Sequence, residues 1–200
     1  GGTWTGTYIS SSGLFNAGAV APGLYTVAYQ YNDQWGCGNT ATAQVNVHAL
    51  PVVQAQNGSV CKGSSIQLQG TPAGGIWSGP VVTASGLFDA TNLTTGTYQV
   101  NYSYTDANGC SNQSAATVQV NALPVLQLTD AEVCTGNVVQ LTALPTGGNW
   151  SGGFISPNGS FNASGLAAGL YPVSYSLTDI NGCSLSASAY VRVYSDQVQP

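Results

Sequence analysis

One feature constrains this chain before any other: its sequence repeats itself. Trp4, Trp77 and Trp150, in GGTW, GGIW and GGNW, stand 73 residues apart, and the offset holds without a gap. It relates Phe15 to Phe88 and Phe161, Tyr25 to Tyr98 and Tyr171, Tyr29 to Tyr102 and Tyr175, Asp33 to Asp106 and Asp179, and Cys37 to Cys110 and Cys183. Cys61 matches Cys134, and the linker VHALP at 47–51 returns as VNALP at 120–124. A fixed period of this length marks one supersecondary unit used several times, not a single core of 200 residues. The expected organisation is the C-terminal part of one copy at 1–50, complete copies at 51–123 and 124–196, and the start of the next linker or copy at 197–200. A chain that opens in mid-copy, without a Met start or the charged and apolar pattern of a leader, is expected to be processed or a fragment of a longer array.

Within a copy the periodicity is that of strands. Tyr98, Val100, Tyr102 and Tyr104 alternate with Gln99, Asn101, Ser103 and Thr105, and Tyr171, Val173, Tyr175 and Leu177 repeat the pattern. Further strands are expected at 52–55, 65–69, 75–78, near Leu87 and Phe88, and at 115–121, and no stretch has helical spacing. Asn57-Gly58, Lys62-Gly63, Gly74-Gly75, Ser85-Gly86 and Asn108-Gly109 supply turns between them. About seven short strands per copy predict an all-β fold of tandem antiparallel sandwiches forming an elongated rod. Two features narrow this to an immunoglobulin-like sandwich. Leu93, Gly96 and Tyr98 form L-x-x-G-x-Y, which resembles a tyrosine corner, and Trp77 lies between Cys61 and Cys110 as a strand C Trp would. Two residues after the corner Tyr stands Val100 and not Cys, so any disulfide is not the usual pin between the sheets. Trp4, Trp77, Trp150, Tyr25, Tyr98 and Tyr171 are therefore expected in the structural core.

The motif set V-C-x-G at 60–63, P-x-G-G-x-W-S-G at 72–79, G-x-F at 86–88, L-x-x-G-x-Y-x-V-x-Y at 93–102 and T-D-x-N-G-C-S at 105–111 covers most of a copy. It resembles the tandem Ig-like, PKD-like repeats of giant surface adhesins secreted by Bacteroidota. That resemblance implies export to the cell surface, a spacer or adhesive role, and no enzymatic activity in the repeats themselves. The first copy departs at 32–37, where Trp35 stands in place of Asn108, and YSDQVQP departs from the linker pattern at the end.

Evenly phased cysteines in a charge-poor chain read as a disulfide framework among Cys61, Cys110, Cys134 and Cys183, with Cys37 bonded to a residue outside the chain. The first expectation is a link inside each copy, Cys61 to Cys110 and Cys134 to Cys183. Topology argues against it, because the start of strand B and the turn between strands F and G lie at opposite ends of an immunoglobulin sandwich. The alternative joins adjacent copies, Cys61 to Cys183, where the AB end of one meets the FG end of the next. Zinc is not expected, since no Cys-x-x-Cys pair or His partner accompanies these thiols.

Only 4% of residues are Asp, Glu, Lys or Arg, against about 25% in ordinary soluble chains. Two cations leave no basic patch for nucleic acid, and no apolar run approaches the length of a membrane span. One His in a variable linker and scattered acids offer no nucleophile with a base and no carboxylate pair, so no enzyme is expected. An isopeptide staple is also unexpected, because only one copy has a Lys. Asp33, Asp106 and Asp179 are too few for calcium and read as turn residues beside Asn-Gly. Seven N-x-S/T triplets, among them those at Asn57, Asn92 and Asn101, are about what this composition gives by chance and are assigned no glycan. Trp35, at a turn position, is a candidate ligand or inter-copy contact, with packing on the adjoining linker as the plainer reading.

The expected function is thus a structural, non-catalytic segment of a bacterial surface adhesin or extracellular filament, secreted and cofactor-free, giving reach and attachment. Its expected partners are neighbouring copies in its own chain, further copies of itself in a filament or bundle, and surface glycans. The alternative is a set of carbohydrate-binding modules within a secreted multidomain protein.

Overall fold

The computed structural model describes residues 1–195. The expected end of the third copy at 196 and the segment 197–200 lie outside the described residues. In chain order the strands are β1 (Thr3–Thr5), β2 (Gly23–Asn32), β3 (Gly38–Val47), β4 (Gln54–Ala55), β5 (Gly58–Cys61), β6 (Ser65–Gln67), β7 (Gly70–Thr71), β8 (Ile76–Ser78), β9 (Leu87–Asp89), β10 (Gly96–Thr105) and β11 (Ser111–Asn121). There follow β12 (Gln127–Leu128), β13 (Ala131–Cys134), β14 (Val138–Gln140), β15 (Ala143–Leu144), β16 (Asn149–Gly152), β17 (Ser160–Asn162), β18 (Gly169–Thr178) and β19 (Ser184–Tyr194). A single turn of 3-10 helix, Ala17–Ala19, interrupts the β pattern, and no helix among the described residues is long and apolar enough to cross a membrane.

Two compact units divide the chain. The first comprises Gly1–Ala55, Gln69–Ser78 and Asn101–Ala115, and the second Gln56–Leu68, Gly79–Val100 and Ala116–Pro200, so the long strands β10 and β11 give residues to both.

In the first unit β1, β2 and β3 form an antiparallel sheet, β4 pairs with β7, and β8 pairs with Asn101–Ser103 of β10. Among the described side chains of residues 1–50, Val27 alone is buried.

The second unit contains the fullest sandwich. One sheet runs β13-β19-β18-β16, with β13 parallel to β19 and the other pairs antiparallel. Facing it are the pairs β14–β17 and β12–β15. Alternation along β18 and β19 sends Val173, Tyr175, Ala189, Val191 and Val193 to the core side, where they meet Val133, Leu141, Trp150, Phe161 and Ala163. Phe161 and Val191 are fully buried. The parallel edge strand β13, the order β19-β18-β16, which corresponds to strands G, F and C, and the opposite pair β14–β17, which corresponds to B and E, make this an immunoglobulin-like sandwich. Pro172 sits at the fourth position of β18 opposite Tyr190 and leaves the pairing intact on both sides. The same unit holds part of the middle copy: β5 runs parallel to Val118–Asn121 of β11, and β6 pairs with β9.

Each corner tyrosine hydroxyl donates to the carbonyl four residues upstream: Tyr25 to Ala21 at 2.7 Å, Tyr98 to Thr94 at 2.9 Å and Tyr171 to Ala167 at 2.9 Å. All three side chains are half-buried. Trp77 and Trp150 are 4% and 5% exposed, whereas Trp4 is half-buried.

Gly-Gly-x-Trp folds as one device with the second tyrosine of the following long strand. The first glycine turns the chain at positive φ, 90° at Gly74 and 99° at Gly147. The second has no such φ and is needed for another reason. Its N–H donates to the tyrosine hydroxyl at 2.8 Å (Gly2 to Tyr29), 2.7 Å (Gly75 to Tyr102) and 2.7 Å (Gly148 to Tyr175), and a Cβ there would stand 2.5 Å from the ring carbon Cζ in all three. The hydroxyl in turn donates to the carbonyl of Pro72 or Pro145. The tryptophan then packs on the ring, with centroids 5.2, 5.0 and 5.1 Å apart in the three copies.

Candidate functional site: the cysteine turns

The residues with distinctive chemistry gather at the turn that follows each long tyrosine strand. Asp179 Oδ1 accepts the N–H groups of Asn181 and Cys183 at 2.9 and 2.8 Å, while Asp179 N–H donates to the Cys183 carbonyl at 2.9 Å. Gly182, at φ 79°, closes the turn. Asp106 holds Asn108 and Cys110 in the same way, and Asp33 holds Trp35 and Cys37. The repeated aspartate is thus spent on fixing the turn and aiming its cysteine. Among the described residues no group of three His, Cys, Asp or Glu is placed to hold a metal ion. We expect Asp179→Ala to lower stability by about 1 kcal/mol and Asp179→Asn by much less, because an amide oxygen accepts the same two N–H groups. Urea denaturation of both variants checks this, and an Asn variant as damaged as the Ala one would show that the negative charge itself matters.

The aimed cysteines do not share one state. Cys61 is bonded to Cys183 with Cα atoms 5.5 Å apart and 122 residues between them in sequence, and both belong to the second unit. Cys37, Cys110 and Cys134 carry free thiols. This corrects the first expectation, in which Cys61 would pair with Cys110 and Cys134 with Cys183. The reason is geometric. Cys134 lies opposite Tyr194, the last residue of β19, whereas Cys183 stands just before its first, Ser184. An eleven-residue strand is roughly 35 Å long at about 3.3 Å per residue. Bonded cysteines need Cα atoms within about 7 Å. Cys61 lies likewise beside Asn121, at the end of its copy from which the chain leaves for the next, and there it meets Cys183 of that next copy. Cys183 is fully buried in the contact.

Trp35 is 79% exposed, which corrects the expectation that it packs on the adjoining linker, and its backbone N–H donates to Asp33. His48 bonds Asn46 on an exposed surface. A second turn of the same type follows the Gly-x-Phe strand, where Asn16, Asp89 and Asn162 accept N–H groups two residues on. The hydroxyl and N–H of Thr91 hold the Asp89 carboxyl below the usual carboxylate range. A depressed carboxyl stabilises the fold above its unfolded pKa and loses that contribution as pH falls through its folded one. A pH series of thermal melts should therefore show the difference between Asp89→Asn and the parent shrinking as pH falls through the folded pKa of Asp89.

No protein-family model matches the sequence, and no curated protein matches it. Among solved structures the chain is similar to the fibronectin(III)-like modules of Clostridium thermocellum CbhA, at 13% identity over 74% of this chain and 97% of that one, with a TM-score of 0.35. It is also similar to the N-terminal Ig1-2 module of Drosophila receptor protein tyrosine phosphatase DLAR, at 12% identity over 73% and 100%, TM-score 0.29. A third likeness is to the Bacteroides ovatus glucan-locus protein SGBP-B in complex with a mixed-linkage heptasaccharide, at 14% identity over 97% and 60%, TM-score 0.25. The immunoglobulin-like assignment rests on strand order, parallel edge pairing and the tyrosine corners.

Proposed function

We propose that this chain is a structural, non-catalytic segment of a secreted bacterial surface adhesin or extracellular filament, built of 73-residue copies and serving reach and attachment. The observation that carries the reading is the Cys61–Cys183 bond, which fastens one copy to the next. Such a bond persists in an oxidising compartment outside the cytoplasm. It is of use to a segment that bears tension, since it shunts load past the residues it encloses. A surface with so few charges suits lateral contact between like segments. Immunogold labelling of intact cells with an antibody to this segment tests the reading. Label along projecting surface structures is expected, and label confined to the cell interior would end it.

A carbohydrate-binding role is the second reading, favoured by the free indole of Trp35. Titration with soluble glycans, followed by tryptophan fluorescence, separates the two. A saturable change that Trp35→Ala abolishes would establish binding, and the spacer reading expects none.

A further inference from the structure

The three free thiols are related by the repeat to the two bonded ones. Cys37 and Cys110 occupy the position of Cys183, in turns held by the same aspartate bonds to the cysteine N–H, 2.8, 2.9 and 2.8 Å in chain order. Cys134 occupies the position of Cys61: each ends a four-residue strand parallel to the last strand of its copy, opposite Asn121 in one case and Tyr194 in the other. In the bonded pair the complementary cysteine lies 122 positions along the repeat. For Cys134 it would fall in the copy after the third, for Cys110 in the part of the first copy ahead of Gly1, and for Cys37 in the copy before that.

We propose that Cys37, Cys110 and Cys134 are cross-linking sites, each taking as its partner the complementary cysteine of an adjacent copy of this same repeat in the parent chain. Cys134 offers a strand-end thiol that accepts a turn cysteine from the following copy, whereas Cys37 and Cys110 are turn thiols that engage strand-end cysteines of preceding copies. Links inside a copy are excluded by the length of the last strand. Each link forms when a thiolate attacks one sulfur of an oxidised disulfide carrier and the mixed disulfide is resolved by the partner thiolate. Two S–H bonds are lost, one S–S bond forms, and the carrier leaves as a dithiol with the two electrons. The exposure of Cys37 and Cys134 and the half-exposure of Cys110 leave all three open to this exchange.

The test is peptide mapping without reduction, after alkylation of free thiols, on the secreted parent chain and on the 200-residue chain in parallel. With so few Lys and Arg residues, digestion by chymotrypsin and an Asp-specific protease is required. In the 200-residue chain Cys61 should be found joined to Cys183, with Cys37, Cys110 and Cys134 alkylated. In the parent chain alkylation at those three should fall at least tenfold, each appearing instead in a cross-linked peptide whose partner lies 122 residues away. A link of Cys61 to Cys110 or of Cys134 to Cys183, or full alkylation of the three thiols in the parent chain, overturns the proposal. Surface localisation is read separately, so failure of the linkage pattern leaves the spacer reading to stand or fall by its own experiment.

Discussion

Replacing Cys61, Cys183 or both with alanine should lower the melting temperature of the second unit by roughly 10–20 °C, and by nearly the same amount in all three variants. In the chain-entropy model a loop of 122 residues contributes about 5 kcal/mol, with about 2–5 kcal/mol commonly lost when a native disulfide is removed. The double variant should add little to either single one, because one bond is broken in each case. Cys134→Ala serves as the control: its thiol is free and exposed, so the melt should shift by no more than a degree or two. Calorimetry with and without a reductant checks both. A Cys134 variant as unstable as the Cys61 one would mean that the pairing is not the one described.

Gly148→Ala should cost about 3 kcal/mol, the upper end for overpacking of a tight site, or about 10 °C of melting temperature. The new methyl group would collide with the Ser176 carbonyl oxygen and with the Tyr175 ring. Neither neighbour is free to yield. Tyr175 is 2% exposed, its ring is backed by Trp150, and its hydroxyl is held by the Gly148 N–H and the Pro145 carbonyl. Gly153→Ala, where a Cβ meets nothing within 4 Å, should change stability by less than about 0.5 kcal/mol. Equal effects at the two glycines would remove the steric account of the Gly-Gly-x-Trp motif.

What the sequence made legible follows from its periodicity. Alternation fixed the face of each residue in β10 and β18, and the L-x-x-G-x-Y spacing located the corner hydroxyls before any coordinate was known. The strand Gly58–Cys61 was not legible, because Gly, Ser and Cys carry little strand propensity and Asn57-Gly58 reads as a turn. That strand matters most for the cysteines: it runs parallel to β11 and carries Cys61 to the far end of its copy. Without it, the sequence leaves a link inside the copy, Cys61 to Cys110, as open as one to the next copy. The role of the second glycine was also hidden, although two glycines in a row where one suffices for the turn was a signal of close approach. Trp35 was legible as an oddity and as a candidate exposed contact, but packing on the linker was the plainer expectation, since exposure of a turn residue depends on what packs beside it.

A molecule whose backbone is bridged at Cys61 and Cys183 is, between those points, a closed circuit and not a line. One break in a line makes two objects; one break in a circuit still leaves one. A protease that cut after Lys62, the one basic residue inside the bridge, would leave both sides in a single molecule until a reductant opened the second route. If the bridges recur with the repeat, each spans more residues than the period that separates it from the next, so neighbouring circuits overlap. A chain bridged in this way tolerates scattered backbone scissions without coming apart, which is of use wherever proteases are abundant and repair is absent.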